Sequence, residues 1–68
     1  MKQVSGKELA KMIATRGWVP RRMFGSHHIF LKEGKKERIV NPVHANKPLK
    51  AGLLRSLTKI AKLREDDL

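Results

Sequence analysis

Three histidines, His27, His28 and His44, are the side chains of this chain best suited to chemistry. The chain has no cysteine, which removes thiol nucleophiles, disulfide staples and thiolate metal sites together. His27 and His28 are neighbours and cannot both reach one ion from a regular strand, and His44 lies in another segment. No His-x-x-x-His spacing exists, so no metal site is expected. Ser26 precedes His27, but no Asp-supported histidine stands nearby in sequence to make a Ser-His-Asp triad. No glycine-rich phosphate loop is present. What remains is proton transfer by an imidazole, whose ordinary pKa of about 6.5 lets it take or give a proton near neutral pH.

Charge narrows the substrate. Sixteen Lys and Arg face six Asp and Glu, a formal net charge of +10. Three of the acids sit in the tail Glu65-Asp66-Asp67, so the body is more basic than the total. Such a field favours phosphate polymers, acidic membranes or an acidic protein partner. RNA suits a lone imidazole because it carries its own nucleophile, the 2′-hydroxyl beside each phosphate. The protein then manages only protons and charge, with lysines and arginines stabilising the negative charge that develops on phosphorus. That reaction calls for no cofactor. The cations expected to contact RNA are Arg21, Arg22, Lys32, Lys47, Lys50, Arg55 and Lys59. Two other functions fit the same charge: a non-catalytic RNA-binding module, and a structural basic protein such as a ribosome-associated one.

At 68 residues the chain is expected to be a single domain with one modest core, spanning about residues 5–63, and a frayed acidic tail over 64–68. A domain of this size encloses no deep cleft, so catalysis would occur on an open surface. Its wholly apolar runs are too short to span a membrane, and the first residues lack the apolar stretch of a signal peptide. A cytoplasmic location is expected.

The elements that must hold these side chains can be read in order. Ser5-Gly6-Lys7-Glu8 fits a capping box, with Val4 and Leu9 at the positions of the hydrophobic staple. Leu9, Met12 and Ile13 repeat as one apolar face, and Gly17 supplies a left-handed stop, so a helix is predicted from about Gly6 to Arg16. Trp18 to Phe24 reads as a strand, but Pro20 has no N–H to donate, which restricts it to a sheet edge or a bulge. Gly25-Ser26 is a turn. His27 to Lys32 forms a second strand, Glu33-Gly34-Lys35-Lys36 closes a hairpin, and Glu37 to Val43 returns until Pro42 stops it. His44 to Pro48 is a loop. A second helix is predicted over about Lys50 to Leu63, with Leu53, Leu57, Ile60 and Ala61 as its apolar stripe and Lys50, Arg55, Lys59 and Lys62 on the remaining surface. The order is α-β-β-β-α, an α+β fold with both helices on one face of a three-stranded antiparallel sheet.

On a strand, neighbouring residues point to opposite faces. If Phe30 is buried, His28 shares its face and His27 lies on the open side. Ile29 and Leu31 are apolar as well, so alternation alone leaves the choice open. Trp18 and Phe30 are expected in the core; Phe24 fits either the core or a stacking surface for unpaired bases.

The ordered set Ser5-Gly6-Lys7-Glu8-Leu9, Gly17-Trp18, Gly25-Ser26-His27-His28-Ile29-Phe30, Pro42-Val43-His44-Ala45-Asn46-Lys47 and Leu49-Lys50-Ala51-Gly52-Leu53-Leu54-Arg55-Ser56 resembles the HicA family of bacterial toxin–antitoxin systems, which are RNA-cleaving toxins (mRNA interferases). It covers nearly the whole chain, from about Ser5 to Leu63. The resemblance implies a fold like the double-stranded-RNA-binding domain, a metal-independent endoribonuclease that cuts mRNA and so inhibits translation, and a HicB-type antitoxin partner. It places the functional histidine at His27, with Gly25 and Ser26 forming the active-site turn. His28 is the second choice, since some members place that histidine differently within this short segment. Three positions depart from the pattern. Asn41 stands where relatives usually carry an apolar residue, Ala45 replaces a common glycine, and Leu53 a common threonine.

Overall fold

The computed structural model describes residues 3–43 and 47–68, so His44 and the departure at Ala45 lie outside the described residues. The element order is α1 (Gly6–Ala14), β1 (Val19–Phe24), β2 (His27–Leu31), β3 (Ile39–Pro42), α2 (Ala51–Ala61) and a final 3-10 turn (Glu65–Asp67).

Helix α1 begins as its sequence dictates. The Ser5 hydroxyl accepts from the Glu8 N–H at 3.1 Å, and the Ser5 N–H donates back to the Glu8 carboxylate at 3.4 Å. Val4 and Leu9, the two staple residues, are both wholly buried. Two backbone donors are thus satisfied without water at a helix end that packs into the interior. Replacing Ser5 by alanine is expected to cost about 1 kcal/mol. Thermal unfolding should show this as a melting temperature lower by roughly 4–8 °C. The helix ends two residues before the expected Arg16, and Gly17 follows at φ 92°.

The three strands form an antiparallel meander in the order β1-β2-β3. Both restrictions set by Pro20 are met. β1 is an edge strand, and its register against β2 shifts between Pro20 and Arg22, leaving Arg21 as the extra residue of a bulge. β2 is the centre strand. Phe30 and Ile39 on one face of the sheet join Leu9, Ile13, Trp18, Leu54, Leu57 and Ala61 in a single core. Both helices contact β3, so the two helices cover one face and the other is open.

One expectation is corrected. The buried stripe of α2 is Leu54, Leu57, Thr58 and Ala61, with Ile60 packed against the core as expected, and it does not begin at Leu53, which is 39% exposed. Leu54 stands three and seven residues before Leu57 and Ala61, which puts all three on one face, whereas Leu53 is turned about 100° to the flank. The tail takes a short 3-10 turn over Glu65–Asp67. Asp67 accepts from the Arg64 N–H at 2.8 Å and pairs with Arg16 at 3.3 Å, while Leu63 and Leu68 pack against the core. Those apolar contacts hold down what composition alone marks as a solvated acidic end.

Asn41 is the one wholly buried polar side chain among the described residues. Its Nδ2 donates to the Gly6 carbonyl at 2.8 Å, fastening β3 to the first turn of α1. The start of the chain, the end of β3 and the lead-in to α2 converge here. Ser5 bridges Pro48, and the Leu49 N–H donates to the Val4 carbonyl at 2.8 Å.

Candidate functional site

The site is built on the tight turn between β1 and β2. Phe24 and His27 are cross-strand partners with only Gly25 and Ser26 between them. Gly25 takes φ 57°, which side chains disfavour at the first central position of such a hairpin turn and glycine does not. The Ser26 carbonyl accepts from the Val43 N–H at 2.6 Å, pinning the turn to the chain leaving β3. His27, first residue of the centre strand, therefore sits between Phe24 on β1 and Pro42 on β3.

Burial separates the two histidines. Phe30 is 3% exposed, so His28, two residues before it, lies on the helix-covered side and is half-buried, while His27 is exposed on the open face. Phe24, undecided from sequence, is 57% exposed on that same face. The His27 imidazole there faces solvent, with the Phe24 ring on the neighbouring strand.

The expected RNA-contacting cations do not form one patch. Lys47 and Lys50 line a depression of about 510 Å³ together with Pro42, Pro48, Leu49 and Leu53. Pro42 is the residue opposite His27, so this basic depression adjoins the histidine. The helix start there strengthens the field. Lys50 occupies the cap position of α2 with no side-chain cap, and no acid stands in the first turn, leaving backbone N–H groups open to an anion. Arg22 pairs opposite Ile29 on the open face, one step from His27, with Arg21 in the bulge beside it. Lys32 is elsewhere. It follows the far end of β2, roughly 16 Å along the strand from His27 at about 3.3 Å per residue. Arg55 and Lys59 are exposed on α2, off its buried stripe.

Near Lys32 the cations crowd. The pKa of the Lys35 ammonium is lowered from its ordinary value, first by the close approach of the Lys62 amine and then by that residue's charge. Its folded-state pKa lies below the unfolded one. The unfolded chain therefore binds the extra proton between the two values, and stability rises with pH through that window. This crowding lies at the opposite end of the sheet from His27.

One cation on the open face was missed from sequence. Arg38 joins Arg21 and Arg22 around a shallow depression floored by Ile29, Leu31 and Val40. The signal was present: with Ile39 taken as buried, period-two alternation puts Arg38 and Val40 on the other face.

Among the described residues, no group of three or more His, Cys, Asp or Glu is placed to hold a metal ion. No helix among them is long and apolar enough to cross a membrane. No curated protein matches the chain. Comparison with protein families matches residues 6–63 to the family described as HicA toxin of bacterial toxin-antitoxin. That span includes both helices, all three strands and the turn that carries His27, and the chain belongs to the HicA family of toxins.

Proposed function

We propose that this toxin is a metal-independent endoribonuclease that cuts mRNA in the cytoplasm and thereby inhibits translation, with His27 as its general acid/base and Gly25-Ser26 as the turn that presents it. The observation that carries the proposal is the position of His27. It is exposed at the start of the centre strand, held between Phe24 and Pro42, and Pro42 also walls the depression of Lys47 and Lys50.

The chemistry follows from these groups. The His27 imidazole takes the proton of a 2′-hydroxyl, whose oxygen attacks the adjacent phosphorus. The bond from phosphorus to the 5′-oxygen breaks, and that oxygen leaves with the proton that the His27 imidazolium gives back. Negative charge grows on the phosphoryl oxygens in between, where Lys47, Lys50 and the open start of α2 oppose it. Phe24 offers one ring on which an unpaired base can stack, and Arg21 and Arg22 continue the positive track along the sheet face. His28, half-buried on the helix side, is the second choice for the acid/base role. Lys32, Arg55 and Lys59 serve as distant phosphate contacts that steer RNA without touching the reacting group. A HicB-type antitoxin is the proposed partner that silences the activity.

The test is cleavage of an mRNA by the purified protein with EDTA present. Cutting under those conditions is the expected result. Stable binding without cutting would instead favour the non-catalytic RNA-binding module. A second measurement separates the basic depression from the histidine. Affinity for single-stranded RNA should fall with salt by about 0.7 in log-log slope per phosphate contacted. The Lys47→Ala, Lys50→Ala double variant should lower that slope by about 1.4. An unchanged slope would remove both lysines from the RNA site.

A further inference from the structure

The end of the sheet farthest from His27 gathers cations from three segments. Lys32 follows β2, and the Lys35 N–H donates to its carbonyl at 3.1 Å, closing a turn in which Gly34 takes φ 82°. Both lysines are half-buried, and the Lys32 stem lies beside Gly17, just after α1. Lys62, which ends α2 in the left-handed conformation at φ 58°, brings its amine close to that of Lys35. Lys32, Lys35 and Arg21 line a depression of about 460 Å³. Glu33 lines it too, and Glu37 lies near Lys35, so cations outnumber acids here.

Like charges held close together repel, and the fold gains nothing from that repulsion. One of the three lysines has a structural reason for its place. A cation at the last turn of a helix is favoured by the helix dipole, which accounts for Lys62. Lys32 and Lys35 stand on a turn, where no helix end rewards them. An anion lodged among the three amines relieves the repulsion, and a phosphate oxygen suits ammonium groups that act as point charges. The apolar side chains of the depression are Val19 and Leu31, too few for the apolar centre of a protein interface. Arg21 supplies continuity with the reacting end. It lines this depression and also the one that it shares with Arg22, so a chain of phosphates leaving His27 meets cations on its way here.

We propose that Lys32, Lys35 and Lys62 form a second phosphate-binding site, which holds the RNA strand roughly 16 Å from the phosphate that His27 attacks. The site deepens the reading of RNA as substrate and rests on it. At about 3.4 Å between stacked nucleotides, the two sites stand about five nucleotides apart. The toxin therefore selects strands long enough to fill both and binds short fragments weakly.

The experiment measures affinity by fluorescence anisotropy, using 2′-O-methyl RNA, which lacks the nucleophile and stays intact. A strand of about three nucleotides spans roughly 10 Å when stacked and fills one site, whereas about twelve span roughly 40 Å and fill both. The full-length toxin is compared with a Lys35→Gln, Lys62→Gly variant. Glycine accepts the left-handed conformation at position 62 more readily than lysine, and the turn at Lys35 is closed by backbone atoms. A Lys11→Gln, Lys36→Gln variant removes the same charge from elsewhere. The first variant is expected to lose about tenfold in affinity for the longer strand, with a log-log salt slope lower by about 1.4. Its affinity for the shorter strand should stay unchanged, and the second variant should keep both. Equal losses in the two variants would overturn the proposal and leave only a general field of charge. An equal loss for both strand lengths would also overturn it, because the lysines would then belong to the His27 site or to the fold. Pyrophosphate or polyglutamate bound through Lys35 and Lys62, with RNA affinity unaffected by their loss, would give the cluster to a small phosphate ligand or to an acidic protein. Wild-type toxin that binds neither strand would refute RNA as the substrate and the second site with it, a result distinct from all of these.

Discussion

Replacing His27 by alanine is expected to abolish RNA cleavage while leaving RNA binding in place. A positioned proton-transfer group contributes about 10²–10⁴-fold to rate, so the variant should retain at most roughly 1% of wild-type cleavage under single-turnover conditions. Binding should persist because the proposed phosphate contacts, Lys47 and Lys50 on one side and Arg21 and Arg22 on the other, lie on other segments and keep their charge. The fold should persist as well. His27 is exposed, and none of the buried hydrophobic core residues among the described residues belongs to the turn that presents it. His28→Ala makes the informative contrast. That side chain is half-buried on the helix side, so its loss should lower stability more than it lowers cleavage measured on the folded fraction. Cleavage lost in His28→Ala and kept in His27→Ala would transfer the acid/base role to His28. Equal cleavage by wild type and both variants would remove histidine at this turn from the mechanism.

The contrast between these two histidines also shows where sequence reasoning stops. Pro20 carries its structural meaning in its own chemistry. A residue without an N–H belongs at an edge or a bulge, and β1 is an edge strand with a bulge. The capping box of α1 is equally local, because Ser5 and Glu8 satisfy each other within one turn. The His27–Leu31 strand has no such internal arbiter. Ile29, Phe30 and Leu31 are all apolar, so both faces of the strand look buriable. The decision comes from elsewhere, when Phe30 and Ile39 pack under the helices and leave Ile29 and Val40 outside. The same ambiguity misplaced the stripe of α2, where the adjacent leucines 53 and 54 offer two overlapping periodicities. Only packing against the sheet selects Leu54. Asn41 was visible as a departure from the family pattern, yet a polar residue announces nothing about its burial. Its place depends on the Gly6 carbonyl, 35 residues earlier in the chain.

That distant contact leads to the second large effect. Gly6→Ala is expected to destabilise the fold severely, although alanine is the better helix former by about 1 kcal/mol. A Cβ at Gly6 would collide with the carbonyl oxygen of Pro42 and crowd the Val43 Cα at 3.1 Å. These are backbone atoms, so no side chain can swing aside. The Asn41 bond to the Gly6 carbonyl and the Leu49 bond to Val4 close the same junction on either side. Overpacking of this kind costs about 3 kcal/mol, against a total stability of roughly 3–10 kcal/mol for a domain of this length. Thermal unfolding should show a melting temperature lower by roughly 15 °C or more. Gly52→Ala is the matched control. A Cβ there meets nothing within 4 Å, so the helix preference acts alone and should raise stability by about 1 kcal/mol. The Gly6 effect also reaches the site, because the atom that must give way belongs to Pro42, the residue opposite His27 and a wall of the lysine depression. At a temperature where the variant remains folded, its cleavage rate should fall further than its RNA affinity, since a shift of Pro42 disturbs the placement of the phosphate against the imidazole more than the number of cations around it. A Gly6→Ala protein that melts like the wild type would show that the start of α1 and the end of β3 can part, and that the close approach between them is not what holds Pro42 beside His27.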